Sequence, residues 1–307
     1  MAAIEYLALQ YASLRLAFMI EAEVRQQLAD MASIRQYIDF AGDITGSGSE
    51  TLKLRLASWG AKQPFASIGE AAEASATSLS YSTASITIGR SALRYDISDL
   101  AVMTGLGRDL DPFLLGESMA LSAEARIMEL ITATFSSASS SVGTTTVDMD
   151  VDDFLDAVYQ LELTNNNAPF LCCLHPVQFT DLQRSLRSEN NNFMAFQAPT
   201  AEISKIKGQG YAGSYMGVDI FKSDKCPTAN AGEDRVGLMW GRGGLAYGIG
   251  TPAPLMAAGA EMRPAGTPVV VSFQRDESKA LTEIVGHLYC GAALVEDDRT
   301  VKIVTDA

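Results

Sequence analysis

The chain has 307 residues, 47% of them hydrophobic and 20% charged, which is a globular composition with room for one large or two ordinary domains. Its 37 acidic and 23 basic residues give a formal net charge of −14. Such a surface repels nucleic-acid phosphates, which argues against sequence-specific DNA binding.

The cysteines and the apolar runs indicate in which kind of cellular compartment the protein resides. Cys172 and Cys173 lie within an apolar run, and neither they nor Cys226 and Cys290 have CxxC or zinc-site spacing. This pattern predicts free thiols in a reducing compartment. The N-terminal region lacks the pattern of a signal peptide, and no run reaches the ~18 apolar residues of a membrane span. We therefore expect a soluble protein.

The first element is a predicted helix over 3–38, because apolar residues recur there at helical spacing without Pro or Gly. Gly42 ends it, and residues 46–49 form a flexible joint. We assign 1–45 to an N-terminal arm.

A long two-stranded ribbon is predicted next. Leu52, Leu54 and Leu56 alternate with polar residues over 50–59, and a second alternating stretch covers 77–97. Residues 60–78, rich in Ala, Ser and Gly, form the tip. A long hairpin is marginally stable alone and exposes unpaired strand edges, so we expect it to lie on a neighbouring copy.

The aromatic residues of the ribbon point the same way. Trp59, Phe65 and Tyr81 would form exposed apolar patches in a monomer, and Trp and Tyr are favoured at interfaces. The alternative is packing against the chain's own body. The predicted intersubunit contact comprises Leu52, Leu54, Leu56, Trp59, Phe65 and Tyr81.

A long helix follows. Asp109 or Asp111 suits its N-cap and Pro112 its first turn. An apolar stripe carries the helix to about Ser136, and a Ser/Gly/Thr linker follows to Thr146. The predicted stripe is Phe113, Leu114, Leu121, Ile127, Met128, Ile131 and Phe135.

A second module mixes helices and strands. We predict a helix starting at Asp152 or Asp153, a buried strand over 170–174 and a helix opened by Pro176. Further strands are predicted over 217–221, 236–240, 269–273, 282–289, 291–295 and 301–304. The fold class is therefore α+β.

Catalytic and metal-binding patterns are weak. The acidic stretch from Asp148 carries Asp153 and Tyr159 where an EF-hand requires Gly and Glu, so it is interpreted as a solvated helix N-terminus. The glycine-rich spots lack phosphate-loop and dinucleotide fingerprints. The two histidines, His175 and His287, accompany no nucleophile elbow or metal-ligand cluster. We predict no cofactor, no metal and no catalytic residue.

The order of elements resembles the major capsid protein of a tailed bacteriophage with the Hong Kong 97 fold. Residues 84–103 (ASITIGRSALRYDISDLAVM) resemble that family's second ribbon strand running toward its spine helix. Residues 170–186 (FLCCLHPVQFTDLQRSL) resemble its step from a strand through His-Pro to a helix, and 216–222 (MGVDIFK) its axial-domain strand. The resemblance covers essentially the whole chain.

The resemblance implies a domain division: the arm over 1–45, an extended loop over 46–97, and a peripheral domain with its spine helix over 98–146. It also implies an axial domain over 147–267 and peripheral return strands over 268–307. Hexamers and pentamers of this chain would form an icosahedral shell around double-stranded DNA. Expected partners are a portal protein, a separate scaffolding protein and a decoration or cement protein, with assembly in the host cytoplasm and residence in the virion.

The sequence departs from the family's pattern in two places, and two other functions are compatible with it. About forty residues precede the ribbon, too few for a fused scaffolding segment. Lys53 and Lys62 lie in the ribbon, but no motif identifies a crosslinking Asn or Glu, so no isopeptide crosslink is predicted. The alternatives are an encapsulin-type shell protein of a cellular compartment and a soluble hydrolase using His175.

Overall fold

The computed structural model describes the chain over 19–28, 34–44, 49–58, 80–100, 112–164, 169–188, 196–208, 210–250 and 269–306. The helices are α1 (19–28), α2 (Pro112–Ala133), α3 (Val151–Leu163), α4 (Pro176–Ser188) and α5 (Ala201–Lys207). The strands are β1 (Asp39–Asp43), β2 (Thr51–Ser58), β3 (Ser80–Thr87), β4 (Gly89–Ser98), β5 (Ser141–Val142), β6 (Phe170–Leu174), β7 (Phe196–Gln197), β8 (Tyr211–Tyr215), β9 (Val218–Lys222), β10 (Thr228–Ala229), β11 (Asp234–Trp240), β12 (Leu245–Ile249), β13 (Val269–Asp276), β14 (Leu281–Leu294) and β15 (Thr300–Asp306).

The first sheet is built around β14. This fourteen-residue strand pairs antiparallel with β13 and β4 on its two sides, and with β12 toward its C-terminal end. Strand β1 adds to β12 in parallel. The long helix α2 packs across the sheet, with Met119 and Ile127 in one core with Ile284 and Leu288. Helix and sheet therefore bury one another's apolar faces.

The second sheet has eight strands in the order β5-β15-β11-β6-β9-β8-β7, with β10 added to β11. Its central strand β6 is buried at all five positions, as expected for a strand covered on both faces. Helices α3 and α4 cover one face, where Phe154 and Leu182 pack with Cys172 and Ile220. The other face belongs to the core of the first sheet.

The two sheets share that core where α2 ends. The 3-10 turn Thr134–Ser137 follows α2, and the Phe135 and Trp240 rings lie 6.2 Å apart, both fully buried. Inside the second module, the buried side chain of Gln178 links backbone groups of separate elements through hydrogen bonds. Its Nε2 donates to the carbonyls of Arg235 and Ile303, and its Oε1 accepts from the His175 amide at 3.1 Å.

The α+β class, the β2–β3 hairpin, helices α2 and α4 and strand β6 confirm the sequence predictions. Helix α2 begins at Pro112 as expected, whereas its predicted caps Asp109 and Asp111 lie outside the described residues. The predicted stripe is wrong at Leu114 and Leu121, which are 66% and 51% exposed. The buried face is formed by Met119, Ala120, Ala123, Ile127 and Ile131.

The helix predicted over 3–38 is wrong at its C-terminal end. Ile34–Tyr37 is a 3-10 turn, and Asp39–Asp43 is strand β1. The open edge of β12 provides hydrogen-bond partners for this segment, so tertiary pairing overrides helix propensity.

The ribbon prediction is wrong for its last strand. All ten residues of β4 pair with β14, so 89–98 belong to the first sheet and the free hairpin is confined to β2 and β3. At the chain end, β15 pairs with β11 and β5 of the second sheet. The helix predicted from Asp152 or Asp153 begins at Val151 instead, with Asp150 as N-cap and Asp153 completing the capping box.

Gly291 marks a point where no larger residue fits. A Cβ at this position would lie 2.1 Å from the Thr87 carbonyl oxygen, where the hairpin passes into β4. Gly89, the partner of Cys290 in β4, has open space within 4 Å of its own Cβ position.

We predict that Gly291→Ala lowers the free energy of unfolding by about 1–3 kcal/mol, because the obstructing atom is backbone and cannot rotate away. Gly89→Ala in the same sheet is the matched control and should change it by less than about 0.5 kcal/mol. Urea unfolding of both variants tests this. Equal stabilities would show that the hairpin can shift away from β14 without cost.

Candidate assembly surface

The hairpin of β2 and β3 is the first candidate contact element. Thr51–Ser58 pair with Ser80–Thr87 in unbroken antiparallel register, so Leu52 lies opposite Ile86 and Leu54 opposite Ala84. Leu52 and Leu54 are half-buried, whereas Ile86 is fully buried. Within the described chain, the hairpin strands pair with each other and with no third strand.

The base of this hairpin is anchored in the chain's own body. A Cβ at Gly248 in β12 would lie 2.6 Å from Leu52 Cδ1, so the glycine makes room for that leucine. Ile88 is 7% exposed and contacts the same strand. Leu52 therefore packs in part within its own subunit, and its half-buried side chain keeps some exposed surface. Contact of Leu52 and Leu54 with a neighbouring copy stays a prediction.

For the other predicted contact residues, the structure describes at most the backbone. Leu56 pairs with Ser82 and Tyr81 with Ala57 in the strand register, but their side chains lie outside the described part of the structure. Trp59 and Phe65 lie outside the described residues altogether. Contact of these four residues with a neighbouring copy stays a prediction.

Ion pairs fix the strand from which the hairpin emerges. The Arg94 guanidinium bonds to Asp96 at 2.5 Å and to Glu283 of β14 at 3.0 Å. Arg275 of β13 makes two 2.6 Å bonds to Asp99, and this hydrogen bonding lowers the pKa of that carboxyl. These bonds hold the C-terminal part of β4 and the residue after it to β14 and β13, whereas the hairpin leaves β4 at its N-terminal end.

A second element, which the sequence did not reveal, is the segment 34–43. Gln36 donates to the Lys207 carbonyl at 2.6 Å, and the Tyr37 ring lies 5.3 Å from Phe221 in the second module. Residues 39–43 meanwhile pair with β12 of the first sheet. The segment therefore binds both modules.

The same segment carries a buried ionisable contact. Arg35 Nη1 lies 3.6 Å from Glu124 of α2, and neither Glu124 oxygen accepts a hydrogen bond. Glu124 is 9% exposed. Burial raises the pKa of this carboxyl, and the nearby Arg35 charge offsets only part of the rise.

The histidines occupy structural positions. His175 Nδ1 accepts the Val177 amide at the start of α4, and burial lowers the pKa of its imidazole. In the first sheet, the Arg90 guanidinium bonds to His287 Nδ1, and burial followed by that positive charge lowers the pKa of this imidazole. The Nδ1 atom of each imidazole thus accepts a hydrogen bond from a nearby donor.

The described residues also offer no reactive thiol or metal site. All four cysteines are buried, and burial raises the thiol pKa of Cys172 and Cys173 well above the usual range and that of Cys290 to about 11. Within the described ranges, no three His, Cys, Asp or Glu side chains are grouped to hold a metal ion. No described helix is long and apolar enough to cross a bilayer.

The architecture matches solved shell structures. One is the head of Helicobacter pylori bacteriophage KHP40, with a TM-score of 0.59 and 9% identity over 90% of this chain and 91% of that one. The capsid of cyanophage P-SCSP1u gives 0.56 and 13% identity, covering 90% and 88% of the two chains. The SrpI encapsulin of Synechococcus elongatus gives 0.58 and 16%, covering 88% and 85%.

The chain has the Hong Kong 97 capsid fold. No family model and no curated protein matches its sequence. The Hong Kong 97 fold is thus established by the arrangement of its elements over nearly the whole chain. Whether the domain boundaries follow those implied by the resemblance stays a prediction.

Glu124 gives a testable pH dependence. A carboxyl whose pKa is raised on folding holds its proton more tightly in the native state, so stability falls as pH rises from the ordinary pKa through the raised one. We predict that Glu124→Gln removes this fall, so the variant gains stability relative to the wild type as pH increases. Urea unfolding from about pH 4 to about pH 8 measures the difference.

Glu117→Gln, at an exposed position of the same helix, is the matched control and should leave the pH profile of the wild type unchanged. A Glu124→Gln profile parallel to that of the wild type would show that burial of this carboxylate does not limit stability.

Proposed function

We propose that this protein is the major capsid protein of a tailed double-stranded DNA bacteriophage. In this proposal it assembles through hexamers and pentamers into an icosahedral shell that encloses the genome. The observation that carries the proposal is the likeness to phage head and capsid chains across about nine tenths of both partners, at 90% and 91% coverage for one and 90% and 88% for another.

The character of the surface supports a contact function rather than a catalytic one. The hairpin of β2 and β3 continues into β4, which pairs along its whole length with β14. Large apolar side chains are exposed on α2 and α3, as at Leu114, Leu121, Tyr159 and Leu163. Exposed apolar groups of this kind mark association surfaces when they are contiguous.

The proposed partners follow from the same role. The main partner is a further copy of the chain, with a portal protein, a separate scaffolding protein and a decoration or cement protein completing the particle. The net charge of −14 suits a shell that encloses DNA without adhering to it. We propose assembly in the host cytoplasm and final residence in the virion.

An encapsulin-type compartment shell is the second candidate. The likeness to the SrpI encapsulin, at a TM-score of 0.58, is comparable to that with the phage heads. A likeness of fold does not separate the two functions. Particle contents separate them, since packaged double-stranded DNA indicates a virus and an enclosed enzyme indicates a compartment.

We predict that the full chain forms pentamers, hexamers or shells. Light scattering and negative-stain microscopy should detect them at micromolar concentration, alone or with a co-expressed scaffolding protein of the same virus. A persistent 32.8 kDa species under both conditions would refute the assembly function.

The hairpin tip provides the second test of function. Replacing 60–78 by a short Gly-Ser turn keeps both paired strands, 51–58 and 80–87. We predict that the thermal unfolding midpoint is retained and that particle formation is lost, because Phe65 and the other tip residues that would contact the adjoining copy are removed.

Leu54→Ser tests the paired part of the hairpin and should weaken assembly less than the tip replacement. Normal particles from a folded tip variant would show that the tip is dispensable. A tip variant that no longer folds would assign 60–78 to the subunit core.

A further inference from the structure

Helix α3 exposes a stripe that combines acidic and apolar side chains. Asp152, Asp156, Tyr159 and Leu163 follow one another at helical spacing and are all exposed, Tyr159 by 59% and Leu163 by 61%. The opposite face holds Phe154, Ala157 and Leu161 in the core. These four residues are called the acidic stripe.

Helix α4 exposes a stripe of the opposite charge. Val177, Thr180, Arg184 and Arg187 are all exposed and lie on the face turned away from buried Leu182 and Leu186. The Arg184 side chain is 73% exposed and pairs with Asp181 of its own helix at 2.8 Å. Val177, which is 38% exposed, adds an apolar side chain to this surface. These four residues are called the basic stripe.

The two helices lie side by side on the same face of the second sheet. The Ser185 hydroxyl of α4 bonds to the Asp150 carboxylate at the N-cap of α3, and the Val151 amide donates to Ser185 Oγ at 3.4 Å. Their buried residues share one core. Both stripes therefore point away from the sheet, and each is open to a second molecule.

The charges of the stripes are largely unused within the subunit. No ion pair joins Asp152, Asp156 or Arg187 to another residue in the described part of the chain. The sequence of α3 holds four acids and no base, whereas Arg184 and Arg187 outnumber the single acid Asp181 in α4. One chain thus carries two surfaces of complementary charge, each with exposed apolar groups.

We propose that the acidic stripe of one copy docks on the basic stripe of a neighbouring copy. This rests on the proposed shell function and assigns one of its contacts. Tyr159 and Leu163 lose water against Val177 and the arginine stems, while the carboxylates of Asp152 and Asp156 meet the two guanidinium groups. Because both stripes point away from the same face of the sheet, two copies related by a twofold axis make both contacts at once, the acidic stripe of each on the basic stripe of the other.

Charge reversal tests the contact. We expect Asp152→Lys/Asp156→Lys and Arg184→Glu/Arg187→Glu each to lower the assembled fraction by about tenfold or more, because like charges then face each other. Combining all four substitutions in one chain should restore assembly. Glu233→Lys/Glu277→Lys changes the net charge equally at exposed turn positions and should assemble like the wild type.

Mixing the two reversed variants gives a sharper result. A mixed pair sets a wholly basic surface against a wholly acidic one and satisfies both contacts, whereas each variant alone sets like charges against each other. Mixtures should therefore recover the contact that neither variant makes alone, as native mass spectrometry can measure. Asp156→Lys alone, which leaves the first turn of α3 unchanged, is the substitute if the double variant fails to fold.

The outcomes separate the two proposals. If the wild type never assembles, the shell function fails and this contact fails with it. If the wild type and both reversed variants assemble equally, the shell function stands and the contact is overturned. Loss of assembly in the acidic-stripe variant, with no loss in the basic-stripe variant, would assign the acidic stripe to a different, basic partner and also overturn the proposal.

Discussion

The pairing of β14 on both sides is the constraint on which the rest of the subunit depends. This strand holds β4 and β13 through its first part and β12 near its end, so three segments that are far apart in sequence meet on it. The hairpin leaves the sheet next to its C-terminal half, where Gly291 allows the Thr87 carbonyl to pass. The hairpin is therefore joined to the sheet through β4, all of which pairs with this central strand.

The segment 34–43 contacts both modules and so connects them. Tyr37 packs against Phe221, Lys207 lies 5.5 Å over the Tyr37 ring, and the following strand extends the first sheet. Arg35 reaches the buried Glu124 on α2 from the same segment. Contacts on opposite sides of this short stretch thus join the two modules.

The polar and titratable groups of the described interior take part in packing and in local hydrogen bonds. Buried thiols have raised pKa values, both histidines accept hydrogen bonds from their surroundings, and Gln178 satisfies backbone groups of two strands. The exposed features are instead apolar side chains and unmatched charges on helix surfaces. This distribution is consistent with the proposed shell function, in which many modest contacts add up because each copy meets several others.

Local sequence determined much of the architecture. Alternation predicted the hairpin of β2 and β3, Pro112 and Pro176 marked the starts of α2 and α4, and the apolar run 170–174 identified a central strand. The order of these elements was enough to indicate the Hong Kong 97 fold. Each of these features is a hydrophobic pattern or a turn residue within one helix or strand. It can therefore be recognised without knowing which element that helix or strand packs against.

The tertiary structure decided which elements meet. Residues 89–98 have the same alternation as the hairpin, yet they belong to the sheet, because β14 provides an edge that pairs with all ten. The segment 39–43 became a strand against β12, and β15 crossed to the second sheet, because open edges far away in sequence offered hydrogen bonds. The packing of Leu52 likewise depends on Gly248, some two hundred residues away, which leaves space that this side chain fills in its own subunit. Period and propensity act within a segment, but pairing and burial depend on what lies beside it.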